Sequence, residues 1–383
     1  MEKATMEASG TLQLTELKEL AAVDGPCLTI IAPAQRAPNT ARQDHLRLKS
    51  AAQSAEAALA KFGLQAREID EFLKPLHSLE LESAGDFKTF VVFRAPQVLR
   101  SFFVHEPLKE LAMVADHFQI LPCLKAAHED SLYFFVLALS QSHVRLLRCT
   151  NHSSEEVPLG KDIPTNIEDW LNTRTPTSSP DHGGKRPSAS GSSGNFTSTH
   201  DRDKMDSHIE NFFHRIEQGV FEALRGETAP LVLAGVEHET PMYRGINRYL
   251  HLAGRDVHGS PEGLKGAELH RRALDVAREA FAEPIQKALE LFERLGGSER
   301  VASKPRDVLQ AAAAGRVSQL FVVEGATHPG QWDKQTLKVK REGEGEDLLN
   351  IAALQTIVNG GDVWVTSAAN VPGGGPVAAL LRF

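Results

Sequence analysis

The chain has 383 residues, room for two or three domains that each bury a core of their own. Apolar residues make up 41% and charged residues 24%, which excludes a mostly disordered or fibrous chain. Forty-two Lys and Arg against fifty Asp and Glu give a net charge of −8, so the chain does not coat nucleic acid by bulk charge, and any nucleic-acid site must be local or shape-based.

Residues 132–139 are among the longest strongly apolar runs and fall far short of the roughly 20 residues of a membrane span, so no span is expected. The start, Met1-Glu2-Lys3-Ala4, lacks a basic stretch followed by an apolar one. No secretory signal is read there, and a cytoplasmic protein is expected. Cys27, Cys123 and Cys149 are odd in number, widely spaced and set in apolar surroundings, as befits buried free thiols rather than a zinc knuckle or a disulfide framework. Although there are sixteen His, neither His-Glu-x-x-His nor paired His with carboxylates at ligand spacing occurs. No metal and no cofactor are expected.

In chain order, Leu12, Leu14, Leu17 and Leu20 suggest a short helix, and 27–31 a buried strand ended by Pro33. Asn39-Thr40 offers an N-cap for a long helix carrying Leu46, Leu48, Ala52, Ala55 and Leu59, with Gly63 as its stop. Two β-rich runs, 87–93 and 98–104, flank the turn signal Ala95-Pro96. The expected first domain is α/β and covers residues 1–127.

A second unit, 128–298, opens with the run 132–139, apolar on both faces. Residues 144–149 follow, with Arg145 and Arg148, which suits a central strand hairpinned to one nearer the edge. From 172 to 200 nineteen of 29 residues are Ser, Thr, Gly or Pro, too many to pack, so a mobile loop is expected. Apolar residues from Met205 to Leu224 then recur at spacings of three and four behind Asp201, Asp203 and Asp206, the mark of a helix. Residues 230–236 read as a buried parallel strand. Pro241 fits the first turn of a helix ending before Gly254, and 261–295 a long helix closed by Gly296-Gly297 and kinked or divided at Pro284. The expectation is a three-layer α/β domain.

The last unit, 299–383, alternates more simply: helix 307–314, strand 317–323, helix 348–358, strand 363–365 and strand 377–381, with the loop 372–376 before the last. It holds nine basic and nine acidic residues against 19 and 25 in 128–298, so the C-terminal unit is neutral and the middle one acidic.

Three stretches carry a family resemblance: Leu137-Ala-Leu-Ser-Gln-Ser-His-Val-Arg145; Pro230-Leu-Val-Leu-Ala-Gly-Val-Glu-His-Glu-Thr-Pro-Met-Tyr243; and Gly361-Asp-Val-Trp-Val365 with the Pro-Gly-Gly-Gly-Pro loop and Leu380-Leu-Arg382. By their order and spacing, over about two thirds of the chain, the sequence resembles the bacterial branch of the archaeo-eukaryotic class-1 peptide-chain release factor and Pelota superfamily. The resemblance implies three domains, the middle one ribonuclease-H-like and the C-terminal one resembling kink-turn-binding ribosomal proteins. In the family's release factors a Gly-Gly-Gln tripeptide before a long helix helps position water on the peptidyl-tRNA ester. Here the corresponding loop reads His182-Gly183-Gly184-Lys185-Arg186, with Lys185 where the glutamine would stand. Gly183 and Gly184 are read either as the remnant of that catalytic tip or as part of a plain flexible loop, while Lys185 and Arg186 can bind phosphate. Stop-codon readers carry Asn-Ile-Lys-Ser and Tyr-x-Cys-x-x-x-Phe motifs; neither is found, so codon reading is unsupported.

Other sites read more weakly. Arg244, Arg248, His251 and Arg255 would share one helical face and form a cationic strip for an RNA backbone, unless that face is merely solvated. The strands 132–139 and 231–236 contain no carboxylate, against two-metal nuclease chemistry. Ser140-Gln141-Ser142-His143 sits where a hairpin turn is expected and lacks a nucleophile elbow. The loop 372–376 lacks a nucleotide-binding pattern.

The reading that emerges is a ribosome-associated translation factor acting in rescue or stress, with peptidyl-tRNA ester hydrolysis as its associated activity. The expected partners are the ribosome and peptidyl-tRNA, with a translational GTPase as a further one, and neither DNA nor a membrane. The alternative is a non-catalytic RNA-binding or protein-interaction adaptor on the same scaffold.

Overall fold

A computed structural model describes residues 5–34, 41–79, 86–173 and 199–383. The chain divides into two compact units, residues 1–131 together with 284–383, and residues 132–283. The first and last segments thus share one unit.

In the N-terminal part of the first unit the elements are β1 (Thr5–Thr11), α1 (Leu14–Leu20), β2 (Cys27–Pro33), α2 (Ala41–Lys61), α3 (Ala66–His77), β3 (Thr89–Ala95), β4 (Val98–Val104), β5 (Leu111–Ala115) and α4 (Leu121–Ser131). The strands form one sheet in the order β1-β4-β3-β2-β5, with only β1 parallel to its neighbour. Both faces of the central strands are covered, because alternate side chains of a strand point to opposite sides. Leu28, Ile30, Phe90 and Val92 pack with Leu48, Leu59 and Phe72 of α2 and α3. Cys27, Ile31, Val91 and Phe93 pack with Leu17 of α1 and Leu124 of α4. Helix α2 stops at Gly63, whose φ of 96° a side chain would resist.

The second unit contains β6 (Tyr133–Ala138), β7 (Arg145–Thr150), β8 (Ser154–Val157), α5 (Ile167–Thr173), α6 (Thr199–Ala223), β9 (Leu231–Gly235), α7 (Glu239–Ile246), β10 (Val257–His258) and the first part of α8 (Gly266–Arg294). Its sheet runs β10-β9-β6-β7-β8. β6 and β9 pair in one sheet, parallel, with Phe135 opposite Leu231 and Leu137 opposite Leu233. The apolar run at 132–139 has its reason here: Phe135 and Leu137 meet Phe212, Phe213 and Ile216 of α6, while Phe134 and Val136 meet Leu269 and Ala273 of α8. A strand sandwiched between two helical layers carries no polar face.

Helix α8 continues through Pro284 undivided, and Pro284 is where the chain passes from the second unit back to the first. There follow β11 (Val301–Ala302), α9 (Pro305–Ala313), β12 (Val317–Val323), β13 (Pro329–Asp333), β14 (Lys338–Glu342), β15 (Glu346–Asp347), α10 (Leu348–Val358), β16 (Asp362–Thr366) and β17 (Val377–Leu381). One sheet is ordered β11-β17-β12-β16 and a small second one β14-β13-β15. Val308, Leu309, Leu320, Ile351 and Leu354 of this part join the same core as Leu12, Phe118 and Ile120 of the N-terminal part.

The three cysteines are free and buried, and burial pushes each thiol up to about 12, so they are inert packing groups. Among the described residues no helix is long and apolar enough to cross a membrane.

Candidate functional site

Gly183, Gly184, Lys185 and Arg186 fall within 174–198 and lie outside the described residues. The helices at either end of that stretch are described. At the start of α5, Asn166 Oδ1 accepts the Glu168 amide at 2.7 Å, and the Ile167 amide donates to the Gln141 carbonyl at 2.9 Å. Trp170 then packs its ring 6.2 Å from that of Phe212 on α6. Helix α6 carries the spacing Ile209, Phe212, Phe213, Ile216, Val220 and buries all five against the sheet. The stretch that would carry a release tip therefore leaves and re-enters through two helices packed on each other.

The arginines expected to form a cationic helical face do not share a helix. Helix α7 ends at Ile246, and Asn247, extended at ψ 132°, turns the chain, donating from its side-chain amide to the Tyr249 carbonyl at 2.8 Å. Side-chain bonding of this kind competes with helix continuation. Beyond it, the His251 carbonyl accepts from Leu231 and the Ala253 amide donates to the Leu231 carbonyl, both at 2.8 Å, so this backbone is committed to β9. Each arginine also has a carboxylate. Arg244 pairs with Asp256 and Arg255 with Glu279. Arg248 makes a two-pronged contact with the buried Glu217, Nε to Oε2 at 2.9 Å and Nη2 to Oε2 at 2.7 Å with Nε also 3.1 Å from Oε1, and lies 4.5 Å over the Phe221 ring.

A cleft of about 510 Å³ opens at the carboxyl ends of β6 and β9. From β6 come Leu139, Ser140, Gln141 and Ser142; from β9 and α7, Val236 and Glu239; from the chain after β10, Ser260, Pro261 and Glu262; from the start of α5, Asn166, Ile167 and Glu168. Ser140 Oγ accepts the Ser142 amide at 3.2 Å, the turn bonding expected of this sequence, and lies 3.4 Å from Glu262 Oε1, to which Ser142 Oγ also donates. Gln141 Nε2 donates to Glu239 Oε1 at 3.0 Å. Glu239 is only 5% exposed, and burial raises its carboxyl above the usual range against the opposing influence of Gln141. Sequence reasoning missed this grouping of Gln141, Glu168, Glu239 and Glu262. Its one available signal was the reading of 230–236 as a buried parallel strand, since open α/β sheets gather ligands at the carboxyl ends of such strands.

With the sheet, the helices and the cleft in place, the chain can be set beside known proteins, and the likeness lies with translation termination factors and their Pelota-type relatives. Residues 133–316 match the family described as Bacterial archaeo-eukaryotic release factor family 3. Solved structures similar to the chain include the archaeal translation termination factor aRF1, 15% identical, with 96% of each chain covered and a TM-score of 0.24. A model of ribosome-bound archaeal Pelota and ABCE1 is 14% identical, with 98% of this chain and 95% of that chain covered and a TM-score of 0.43. Dom34 of S. cerevisiae, a translation termination-like factor interacting with Hbs1, is 12% identical, with 75% of this chain and 73% of that chain covered and a TM-score of 0.41. No curated protein sequence matches the chain.

Proposed function

We propose that the protein is a ribosome-associated translation factor acting in rescue or stress, with peptidyl-tRNA ester hydrolysis as the activity its release tip would assist. The observation that carries this reading is the family match over 133–316, which spans the whole stretch between α5 and α6 where Gly183 and Gly184 stand. The glycines permit backbone angles suited to close approach to RNA, and Lys185 and Arg186 supply phosphate-binding charge. The proposed partners are the ribosome, peptidyl-tRNA and a translational GTPase. With each ion-paired to a carboxylate, Arg244, Arg248 and Arg255 are secondary contributors to RNA binding at most.

Sedimentation with ribosomes, with and without stalled peptidyl-tRNA, tests the reading. Co-sedimentation that strengthens on stalled complexes is expected, and Lys185→Ala with Arg186→Ala should weaken it in a salt-dependent way. Absence of ribosome binding under all conditions overturns the proposal. One observation favours the adaptor alternative: Lys185 occupies the glutamine position. A release assay on stalled complexes separates the two readings, because an adaptor binds without releasing peptide.

A further inference from the structure

The C-terminal part of the first unit is neutral overall, but its charge is unevenly spread. Of the nine basic residues in 299–383, five, Arg300, Lys304, Arg306, Arg316 and Arg382, lie at or close to one end of the sheet β11-β17-β12-β16, against two of the nine acidic ones, Glu299 and Asp307. Strand pairing brings them there. Arg300 precedes β11, Arg316 precedes β12 and Arg382 follows β17, and because β17 runs antiparallel to both neighbours these three ends coincide. The Leu381 amide donates to the Arg300 carbonyl at 2.9 Å and the Arg382 amide to the Arg316 carbonyl at 2.7 Å. Lys304, at the N-cap of α9, and Arg316 line a cleft of about 420 Å³ together with Ser303, Gln310 and Asp307.

These cations lack carboxylate partners. Among the described residues the ion pairs of this part of the chain sit elsewhere, on Glu324, His328, Lys334 and Lys340, and none of the five pairs with an Asp or Glu side chain. The arginines after β9 differ, since each of them has a carboxylate. Arg316 and Arg382 are held instead by main-chain carbonyls: Arg316 Nη2 donates to Phe383 at 2.7 Å, and Arg382 Nη2 to Asn359 at 3.0 Å. A guanidinium fixed in this way has already lost rotamer freedom, so a ligand orders it at little further cost. Like charges gathered without partners repel one another, and an anionic partner relieves that repulsion.

Two features choose the partner. Four of the five cations are Arg, whose planar fork matches phosphate oxygens, and they are spread over three strand ends and a helix start, which suits a repeated backbone charge better than one small anion. Beside them the Phe383 ring, 70% exposed, has its centroid 5.8 Å from the Arg316 guanidinium. An exposed aromatic face next to Arg is the arrangement on which an unpaired base stacks. An acidic peptide meets the charges without stacking on the ring. We propose that this end of the sheet binds the backbone of RNA, with Arg300, Lys304 and Arg316 on phosphates and Phe383 under an unpaired base. The proposal deepens the ribosome reading and rests on it for the source of the RNA.

The full-length chain is titrated by fluorescence anisotropy with a labelled, partly single-stranded RNA of about 20 nucleotides, in potassium chloride from about 50 to 200 mM, and is sedimented with ribosomes in parallel. A Kd of roughly 1–100 μM is expected near physiological salt. Arg300→Gln with Lys304→Gln removes two exposed charges that make no side-chain bond in the protein; it should weaken RNA binding about tenfold and lower the slope of log affinity against log salt by roughly 1–2. Phe383→Ala should weaken binding at least about fivefold at unchanged slope. Lys338→Gln with Arg341→Gln, the same loss of charge on the exposed strand β14, should change neither. Circular dichroism checks that each variant folds. Equal affinity in the Arg300 and Lys304 double variant, an equal loss in the β14 variant, or competition by polyglutamate as strong as by unlabelled RNA overturns the proposal, the last in favour of an acidic protein partner. If the wild type sediments with ribosomes yet binds no RNA, the proposal falls and the ribosome reading stands; RNA binding through this surface without ribosome binding upholds the proposal and removes the ribosome as its source.

Discussion

Asn350 shows how one polar side chain can organise a core. It is 1% exposed on α10, and its Oδ1 accepts the amides of Ile120 and Leu121, each at 3.0 Å, at the start of α4, while its Nδ2 donates to the Phe118 carbonyl at 3.0 Å. It is thus an N-cap supplied from 230 residues away. Asn350→Ala strands two amides and one carbonyl in a buried place and should lower stability by roughly 2–3 kcal/mol, read as a fall in the urea midpoint at unchanged m. Glu129 offers a pH test at the same scale. Burial, then the hydrogen bond and charge of Glu106, raise its carboxyl from 4.5 to about 7, with Lys125 opposing and Asp130 reinforcing. Lys125 itself reaches Glu324 at 3.2 Å and Glu106 at 4.0 Å. Because the folded value lies above the unfolded one, the native state holds the extra proton between them, and stability falls as pH rises through that window. Glu129→Gln removes this component. The variant's melting temperature should therefore fall less than the wild type's between about pH 5 and 8, and parallel curves would refute the assignment.

At the scale of elements, the arginines after β9 separate stability from surface charge. Arg248 ties α6 to the chain beyond α7 through Glu217, which is 4% exposed, so Arg248→Ala leaves a buried carboxylate alone. A fall in stability larger than that of an exposed pair is expected, because the carboxylate left behind is buried. Arg255 and Glu279 meet in solvent, and Arg255→Ala should cost less than about 1 kcal/mol. Thermal denaturation of the two variants in parallel checks the ordering; similar losses would mean that Glu217 finds another donor. Any effect of Arg248→Ala on ribosome binding must then be read against its folding defect, whereas Arg255→Ala reports binding directly.

For the whole molecule, the grouping of the first and last segments is the consequential feature. Leu12, Phe118 and Ile120 share their core with Leu309, Leu320 and Ile351, and the amide of Asp116 donates to Glu346 Oε1 at 2.8 Å. Removing 299–383 takes away that apolar cover and the cap on α4 together. The remaining N-terminal sheet should bind a hydrophobic dye and lose its cooperative transition, as expected of a core left half open. A truncated chain that melts cooperatively at the wild-type temperature would show that residues 1–127 stand alone. Excising 182–194, by contrast, should spare the fold, since α5 and α6 remain packed through Trp170 and Phe212; circular dichroism and melting compare the two deletions.

Much of the fold is legible because its signals are local. Strands at 98–104, 317–323 and 377–381 and the helix at 348–358 coincide with their expected bounds, since each is an apolar run closed by turn residues within a few positions. The unbroken apolarity of 132–139 announced a strand covered on both faces, which β6 is. Some elements were missed despite a readable pattern, as with α3, whose Ile69, Phe72, Leu73 and Leu76 recur at helical spacing. Others had no such pattern: β13, β14 and β15 are short and largely polar, and exist because they pair with one another across turns. The arginine face failed for a long-range reason, the capture of residues 251–253 by Leu231 of β9, which periodicity cannot register. The cleft is longer-ranged still. Gln141, Glu168, Glu239 and Glu262 are remote in sequence, and only the parallel pairing of β6 with β9 and the divergence of their connections bring them to one edge of one sheet. Local patterning establishes which segments are helix or strand, but which side chains face each other across a crevice depends on contacts between distant segments, and those form only when the sheet assembles.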